Sequence, residues 1–476
     1  MDYDFDALVL GLGPAGMAVS AMAAEMGLTV CAVEKEHVGG ECMNVGCIPS
    51  KALLRMAKAR AAFDRLAVME LGQSPKPPVL NPFERIARSL AFISERKSMG
   101  MLSKVEIVYQ QGAARFADPH TVMVGDRRIS AQRIFICTGT GPAVPDIPGL
   151  REIAPLTNET IFRLDKIPES LMVLGSGAIA CEMAQAFARL GSKVTMVFRG
   201  KGLLWREDSE VTAILEQRFT EEGIVIEKNA GMKSFSTDGP LTRLALEDGR
   251  FLTAEKVLCA LGRDFNPAPL GLDKAGVAFG QRGITVDKYL RTSQPHIYAC
   301  GDVNGEFQLS HAAMHQGMLA LMNCLAPWPL KRNFRRYPVP WTIFTDPQIS
   351  RVGASLDQLN KAGKRYELVK VRYEDYGAAI AEALETGVVK AAVTPLGRIL
   401  GVTIVGEGSG EMINEWTMAM QNRIGLLKIM LQQHSFPTMG FLSKRVAESW
   451  MMTKMRSAIL RKLCQKLYRL GAKKQH

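Results

Sequence analysis

The sequence contains few cysteines for its length. Nine cysteines in a chain of 476 do not make a disulfide-stapled secreted scaffold, in which cysteines are dense. Low-complexity segments are absent too, and 47% hydrophobic with 22% charged residues exclude a disordered or fibrous chain. One hydrophobic core rarely grows beyond roughly 250 to 300 residues, so the length predicts about two to four domains.

The sequence also lacks an uninterrupted apolar span, and its first residues do not favour a secretory signal. Residues 1–6 are acidic rather than basic, which favours a cytoplasmic protein. The longest apolar stretch, residues 7–33, is broken by glycines and a proline. It therefore predicts a strand, a turn, a helix and a second strand rather than a membrane helix.

Acidic residues are missing from the C-terminal end, where most of the net charge of +12 is found. Residues 454–476 hold eight Lys or Arg and no acid. Apolar residues recur there at helical spacing, which predicts a basic amphipathic helix able to lie on an anionic membrane or an acidic partner. The alternative is a terminal helix docked on its own protein. No basic surface interleaved with aromatic residues occurs elsewhere, so nucleic-acid binding is not predicted. The apolar positions are Ile459, Leu463, Leu467 and Leu470.

Two strand-glycine-helix units occur about 160 residues apart, which is typical of two nucleotide-binding domains. In the first, the turn after the strand reads Gly11-Leu12-Gly13-Pro14-Ala15-Gly16, and Glu34 ends the next strand. The glycines let the backbone approach a pyrophosphate, the helix N-terminus faces the phosphates, and the acid accepts ribose hydroxyl groups. The unit predicts a dinucleotide site; the alternative is a glycine-rich turn without a ligand.

The second unit contains Gly175, Gly177 and Ile179 after an apolar strand. The following strand ends near Arg199, where an NAD site usually places a carboxylate. Arg199, with Lys201 or Arg206 nearby, suits a 2′-phosphate, because a guanidinium pairs with it through two hydrogen bonds. The second site is therefore predicted to bind NADPH, with NADH as the alternative if these arginines lie outside the pocket.

A pair of cysteines follows the first dinucleotide unit. Cys42 and Cys47 are separated by four residues, and Lys51 comes one helical turn later. Two cysteines at this spacing can close a small disulfide ring, and a helix N-terminus stabilises a thiolate. A metal site would need further ligands nearby, and none are present. The pair is predicted to be redox-active; the alternative is two inert buried thiols.

These motifs resemble those of the flavin-dependent pyridine nucleotide-disulfide oxidoreductases, which include dihydrolipoamide dehydrogenase, glutathione reductase and mercuric reductase. The resemblance covers nearly all of residues 1–453, and within the family residues 184–195 and 206–208 look most like mercuric reductases. It implies FAD at the first site and NADPH or NADH at the second. Further contacts with these cofactors are implied for Lys35, Gly40, Glu41, Thr138, Gly139, Gly262, Arg263, Gly301, Asp302 and His311.

The resemblance also implies roles around the cysteine pair. Cys47 would lie against the flavin, and Cys42 would be the outer thiol that meets the acceptor. Lys51 is similar to the family lysine beside the flavin, and Glu182 to the acid that pairs with it. A cation beside the flavin favours negative charge on its reduced form.

The C-terminal region departs from the family pattern. Disulfide reductases of this family carry a His-Pro-Thr motif followed by a Glu, and this pair protonates the leaving thiolate. Here Phe436 precedes the Pro-Thr, and Phe441 lies near the position of the Glu. Losing a general acid typically removes about 10²- to 10⁴-fold of rate. His434 is the candidate replacement; the alternative is a surface or interface histidine. Mercuric reductases use a C-terminal cysteine pair instead, and this tail contains only Cys464.

The predicted fold is α/β, with two Rossmann-like dinucleotide-binding domains and a C-terminal α+β dimerisation domain. We predict an FAD-dependent enzyme, a homodimer, that passes electrons from NADPH through Cys42 and Cys47 to a metal ion, disulfide or quinone, with no resident metal. A dihydrolipoamide dehydrogenase-type disulfide reductase is one alternative, and a flavin-bound redox sensor docked by its basic tail is another. The predicted boundaries are 1–148 with 272–332 for FAD, 149–271 for NAD(P)H, 333–453 for dimerisation and 454–476 for the tail.

Overall fold

The structure is a computed structural model that describes residues 2–93 and 99–472. The strands are β1 (Phe5–Leu10), β2 (Val30–Glu34), β3 (Glu106–Tyr109), β4 (Arg115–Asp118), β5 (Thr121–Val124), β6 (Arg127–Ile136), β7 (Gly141–Pro142), β8 (Ser170–Leu174), β9 (Lys193–Val197), β10 (Val225–Glu227), β11 (Met232–Asp238), β12 (Leu241–Leu246), β13 (Phe251–Ala254), β14 (Lys256–Cys259), β15 (Arg263–Asp264), β16 (Phe279–Gly280), β17 (Gly283–Ile284), β18 (Ile297–Ala299), β19 (Trp341–Ile343), β20 (Ile349–Gly353), β21 (Glu367–Arg372), β22 (Val388–Val393) and β23 (Ile399–Val405).

The helices connect and cover these strands. They are α1 (Pro14–Glu25), α2 (Gly40–Asn44), α3 (Cys47–Ala61), α4 (Pro82–Ile93), α5 (Met99–Met101), α6 (Ala178–Leu190), α7 (Ser209–Glu221), α8 (Ser310–Leu325), α9 (Leu356–Lys361), α10 (Gly377–Ala381), α11 (Ser409–Gln421), α12 (Leu426–Leu431), α13 (Phe441–Met455) and α14 (Ala458–Ala472). Within the described ranges the chain divides into two compact units. The first comprises Met1–Phe63, Pro75–Gly202 and Glu222–Tyr337, and the second Asp64–Ser74, Leu203–Glu221 and Pro338–His476.

The first unit contains a larger mixed sheet, in which β6, β5 and β4 pair antiparallel and the other strands parallel, and a smaller parallel sheet, each beginning with a strand that leads into a glycine turn. The order of the larger sheet is β3-β2-β1-β6-β5-β4, with β18 also paired to β6, and that of the smaller one is β10-β9-β8-β14. The side chains of β2 are buried throughout, and those of β8 nearly so. Such continuous apolar strands are typical of parallel sheets that are covered on both faces. The carboxyl ends of β1 and β8 consequently open onto the N-termini of α1 and α6.

The second unit contains an antiparallel sheet of order β19-β20-β23-β22-β21. Its core includes Trp416 of α11 and Tyr373, both fully buried. Helices α11, α12 and α13 contribute to the same core. Two sheets built around parallel strands, followed by this α+β region, confirm the predicted fold class. The finer domain boundaries stay predictions.

The second unit also holds buried charges that the sequence did not predict. Lys390 lies on β22 with its side chain only 5% exposed, and its Nζ is 2.8 Å from a carboxylate oxygen of both Asp208 and Glu210. Nearby, Arg351 pairs with Glu207 at 3.1 Å, and burial raises the pKa of Glu207 to about 7 against the opposing charge of Arg351. Removing one partner of a buried pair leaves an uncompensated charge. These pairs therefore attach residues 207–210, at the start of α7, to the antiparallel sheet.

The periodicity of residues 83–104 predicts one amphipathic helix, and the structure corrects its C-terminal end, because helical structure ends at Met101 rather than Lys104. Helix α4 ends at Ile93, residues 94–98 lie outside the described residues, and α5 ends at Met101. Leu102 and Val105 are then buried in the turn that leads to β3. These two apolar residues are three positions apart, as on one face of a helix, but they are buried in a turn.

The basic amphipathic helix predicted at the C-terminal end is present as α14. It follows α13 after a short break at Arg456 and Ser457. None of the described helices combines the length and the apolarity needed to cross a bilayer.

Candidate active site

Cys42 and Cys47 lie on two successive helices. Cys42 is on the short helix α2, and Cys47 is the first residue of α3. Both thiols are half-buried and close enough to hydrogen-bond to each other. The N-terminus of a helix stabilises negative charge at its first residue. The pair is therefore arranged so that Cys47 carries the charge more easily than Cys42.

A third group, Ser310, contacts the sulfur of Cys47. Its Oγ lies 3.3 Å from Cys47 Sγ, within hydrogen-bonding distance for sulfur. Ser310 is the first residue of α8, separated from Cys47 by 263 positions in sequence. The sequence did not predict this contact, although the adjacent His311 was among the expected cofactor residues.

The two thiols have opposite pKa shifts. The hydrogen bond from Cys42 lowers the pKa of Cys47, the Ser310 hydroxyl and the Lys51 ammonium lower it further, and burial opposes them. The same hydrogen bond to Cys47, together with burial, raises the pKa of Cys42. A dithiol in this site consequently ionises first at Cys47 and keeps its proton on Cys42.

Lys51 and Glu182 form an ion pair beside Cys47. Lys51 Nζ lies 2.8 Å from Glu182 Oε2, and the two side chains are 35% and 6% exposed. Lys51 is one turn after Cys47 on α3, so both lie on one face of that helix. Glu182 is on α6. The structure thus brings together four of the predicted catalytic residues, Cys42, Cys47, Lys51 and Glu182, and adds Ser310.

A second polar cluster lies beside α2. Arg263 donates hydrogen bonds to Glu41 and to the backbone oxygen and hydroxyl of Thr140. The Thr140 hydroxyl is also 3.4 Å from Asp302. Burial raises the pKa of both Glu41 and Asp302, and Arg263 opposes the shift in each. Thr140 is a further residue that sequence reasoning missed.

The first glycine turn fits a dinucleotide. A Cβ at Gly16 would lie 1.9 Å from Gly11 O, so only glycine allows this packing of helix on strand. Gly13 precedes α1 without a side-chain cap, and Pro14 occupies the first turn, which leaves the amide groups of Ala15 and Gly16 to face a phosphate. Glu34 Oε2 accepts a hydrogen bond from Leu12 N at 2.8 Å, so the carboxylate lies directly beside the turn.

Further predicted cofactor residues follow the carboxyl ends of the same sheet, where ligands of α/β proteins bind. Two of them, Thr138 and Gly139, come one residue after the end of β6, and two more, Gly301 and Asp302, come one residue after the end of β18. Gly40 begins α2, Gly262 follows β14, and His311 is the second residue of α8. Lys35 instead pairs with Glu36 at the surface, with Nζ and Oε1 2.8 Å apart.

The second glycine turn fits a dinucleotide in the same way. A Cβ at Gly175 would lie 2.4 Å from Ala260 O. Gly177 precedes α6 without a side-chain cap, and Ile179 in the first turn is 44% exposed. Arg199 stands after β9 and is exposed, with its guanidinium 3.5 Å from Glu247. Arg206 is also exposed and stacks on the ring of Trp205.

His434 belongs to the second unit and forms a pair that the sequence did not predict. Its Nε2 is 2.8 Å from Glu415 Oε1, and its side chain is only 8% exposed. Its Nδ1 faces the backbone oxygen of Gln432 at 3.4 Å. Phe436 and Phe441 contact each other at a ring-centroid distance of 5.4 Å, and Phe436 is 70% exposed. No local spacing could have linked His434 to Glu415, because Glu415 lies on α11, 19 positions earlier.

Two family models match the chain. The model described as pyridine nucleotide-disulphide oxidoreductase matches residues 5–317. The model of the dimerisation domain of the same family matches residues 339–444, which supports a homodimer.

Curated relatives and solved structures agree with this match. A mercuric reductase from Streptomyces lividans is 32% identical over 94% of this chain and 96% of its own length. A dihydrolipoyl dehydrogenase from Chlamydia muridarum is 31% identical over 92% of this chain and 95% of its own. The Cu(II) complex of the HOCl-induced flavoprotein disulfide reductase RclA from Escherichia coli superposes with a TM-score of 0.84 at 26% identity, covering 94% and 99% of the two chains.

The family confirms the prediction of an oxidoreductase and of its cofactors, since its members use FAD and NAD(P)H. On these matches, the chain belongs to the pyridine nucleotide-disulphide oxidoreductases.

Proposed function

We propose that this enzyme passes electrons from NADPH, through FAD and the Cys42–Cys47 pair, to a thiophilic metal ion bound at Cys42. The observation that supports this most directly is that the two thiols have opposite pKa shifts. The thiolate is stabilised at Cys47, and Cys42 keeps its proton. Relatives named mercuric reductase and a neighbour described as a Cu(II) complex support a metal ion as the acceptor. Arg199, exposed after β9, supports NADPH as the donor.

FAD, when bound, supplies the chemistry that turns the hydride of NADPH into an electron pair for the disulfide. Two electrons cleave the S–S bond, and one proton is taken up, which gives the Cys47 thiolate and the Cys42 thiol. A metal ion that binds Cys42 displaces its proton. Return of two electrons to one Hg(II), giving Hg(0), or to two Cu(II), giving two Cu(I), forms the S–S bond again.

The surrounding residues each have a part in this cycle. Ser310 donates a hydrogen bond to the Cys47 thiolate, and Lys51 compensates its charge. Glu182 holds the Lys51 ammonium in place through their ion pair. The described residues contain no group of three or more His, Cys, Asp or Glu that could hold a metal ion.

An anaerobic titration of the purified holoenzyme with NADPH tests the proposal. We expect uptake of two electron pairs per subunit with a long-wavelength charge-transfer band, because the Cys47 thiolate and the flavin communicate. Adding Hg(II) or Cu(II) should then discharge the dithiol in the stoichiometry given above. Uptake of one pair with simple bleaching of the flavin, and no discharge by either ion, would contradict it. NADH in place of NADPH serves as the control for donor preference.

Disulfide reduction is the second candidate, and the His434–Glu415 pair favours it. The corresponding reductases use a histidine paired with a glutamate to protonate the leaving thiolate. In this chain, however, Nε2 of His434 is already engaged by Glu415, and only Nδ1 is left, facing a backbone oxygen. Because both ring nitrogens of His434 face an acceptor in its own unit, the ring is poorly placed to deliver a proton to a leaving thiolate.

Substitution of His434 separates the two candidates. We expect His434→Gln to change metal-ion reduction by less than about twofold, because no leaving thiolate needs a proton in that reaction. If the pair is an acid-base couple, glutathione disulfide or lipoamide turnover should fall by about 10²- to 10⁴-fold. Steady-state NADPH oxidation with each acceptor measures this, and Glu415→Gln is the matched variant. A large loss with both acceptor classes would contradict the proposal that metal-ion reduction does not depend on His434.

A further inference from the structure

Helix α14 presents a continuous row of exposed apolar side chains. Ile459, Leu463, Leu467 and Leu470 are between 49% and 82% exposed. At 3.6 residues per turn these four positions fall on one side of the helix, within about 80° of arc. We call them the apolar stripe. Large apolar side chains that are exposed in a contiguous row mark an interaction surface rather than ordinary surface.

The other side of α14 is basic. Arg461, Lys462, Lys466 and Arg469 fall outside the arc of the apolar stripe, and Lys462 and Lys466 lie beside its edge. Among the residues that the structure describes, none of these four cations forms a salt bridge, whereas Lys454 just before the helix is paired with Glu367 at 2.6 Å. The helix thus has unneutralised positive charge next to exposed hydrocarbon.

We propose that α14 docks this enzyme on the surface of a membrane that contains anionic lipids. The apolar stripe enters the boundary of the acyl chains, and the lysines beside it contact lipid phosphates. A basic face adjoining an apolar one is the pattern of helices that lie in the membrane interface. A helix of 15 residues is about 22 Å long at 1.5 Å per residue, shorter than the roughly 30 Å hydrocarbon core. It can lie on a bilayer and cannot span it.

The positive charge of α14 favours an anionic membrane over a second copy of the helix as the surface that covers the apolar stripe. Residues 454–476 contain no acidic side chain, so two α14 helices packed along their apolar stripes would bring like charges together. An anionic bilayer offers both hydrocarbon and negative charge. The helix also follows the last residue matched by the dimerisation model, residue 444. The proposal does not depend on which acceptor the active site reduces.

Vesicle flotation with the full-length holoenzyme tests this proposal. We expect at least tenfold more binding to phosphatidylcholine vesicles with 30% phosphatidylglycerol than to phosphatidylcholine alone. Leu463→Ser with Leu467→Ser leaves the charge unchanged and should reduce binding at least tenfold. Lys462→Glu with Lys466→Glu should do the same and weaken the dependence on salt. The matched control for charge is Lys274→Glu with Lys364→Glu, two exposed lysines elsewhere.

NADPH oxidation with a soluble quinone confirms that each variant is folded and loaded with cofactor. Equal flotation of the wild type and the serine variant would overturn the proposal, because adsorption would then be purely electrostatic. Absence of binding to anionic vesicles would overturn it as well. If the serine variant instead changes the sedimentation coefficient without vesicles, the apolar stripe is a contact between subunits and the membrane proposal is wrong.

Discussion

Cys42→Ser should reduce the turnover of metal ions and disulfides by more than about 10³-fold, because it removes the sulfur that meets the acceptor. Electron transfer from the reduced enzyme to a quinone should stay within about threefold of the wild type, since this acceptor takes electrons from the flavin directly. Steady-state NADPH oxidation with Hg(II), glutathione disulfide and a soluble quinone measures both routes in one preparation.

Two further substitutions serve as controls for this result, one that should cause the same loss and one that should cause none. Cys47→Ser should cause the same loss with metal ions and disulfides, because no disulfide can form. Cys464→Ser removes a half-buried thiol of α14 and should leave all three activities unchanged. An equal loss of quinone and metal-ion turnover in Cys42→Ser would contradict the proposal that electrons leave by two routes, through Cys42 and directly from the flavin. A loss in Cys464→Ser would show that the tail takes part in delivering the metal ion.

The local parts of the site could be predicted because neighbouring residues determine them. Cys47 and Lys51 are one helical turn apart, so their common face follows from the spacing alone. The glycine turns are equally local, because the strand before and the helix after them are visible in the sequence. Glu182 was predicted only through the resemblance to the family, since nothing near Cys47 in sequence indicates it.

The contacts that the sequence did not predict join distant segments. Ser310 reaches Cys47 across 263 positions, and Thr140 is 123 positions from Arg263. Such pairs are determined by the packing of α8, α3 and the strand ends, and no periodicity in the chain encodes them. The His434–Glu415 pair and the buried Lys390 likewise depend on which elements pack in the second unit. A polar side chain at the first position of a helix, as at Ser310, is a signal that could have been followed.

Lys51→Met should raise the pKa of Cys47 and slow reduction of the disulfide, because it removes a positive charge beside that thiol. Lys51 lowers the pKa of Cys47 and neutralises the buried Glu182, and Glu182 raises that pKa. Without the ammonium group, the negative charge of Glu182 beside the thiol is no longer offset by Lys51, so the thiolate should form only at a pH about one unit higher or more. Reduction of the disulfide by NADPH should slow by about 10- to 100-fold at neutral pH.

Variants of opposite sign make this prediction specific. Glu182→Gln removes the opposing charge, so the pKa of Cys47 should move down, and the thiolate should persist to lower pH than in the wild type. Ser310→Ala removes a hydrogen bond to the thiolate and should raise the pKa, while Ser310→Thr restores the hydroxyl and should return it. The charge-transfer band of the two-electron-reduced enzyme, followed against pH, reports the thiolate at Cys47 in each variant. A general loss of packing would weaken the band in all four variants without moving its midpoint in opposite directions. Shifts of one sign throughout would therefore mean that Lys51 and Glu182 support the fold and do not set the charge of Cys47.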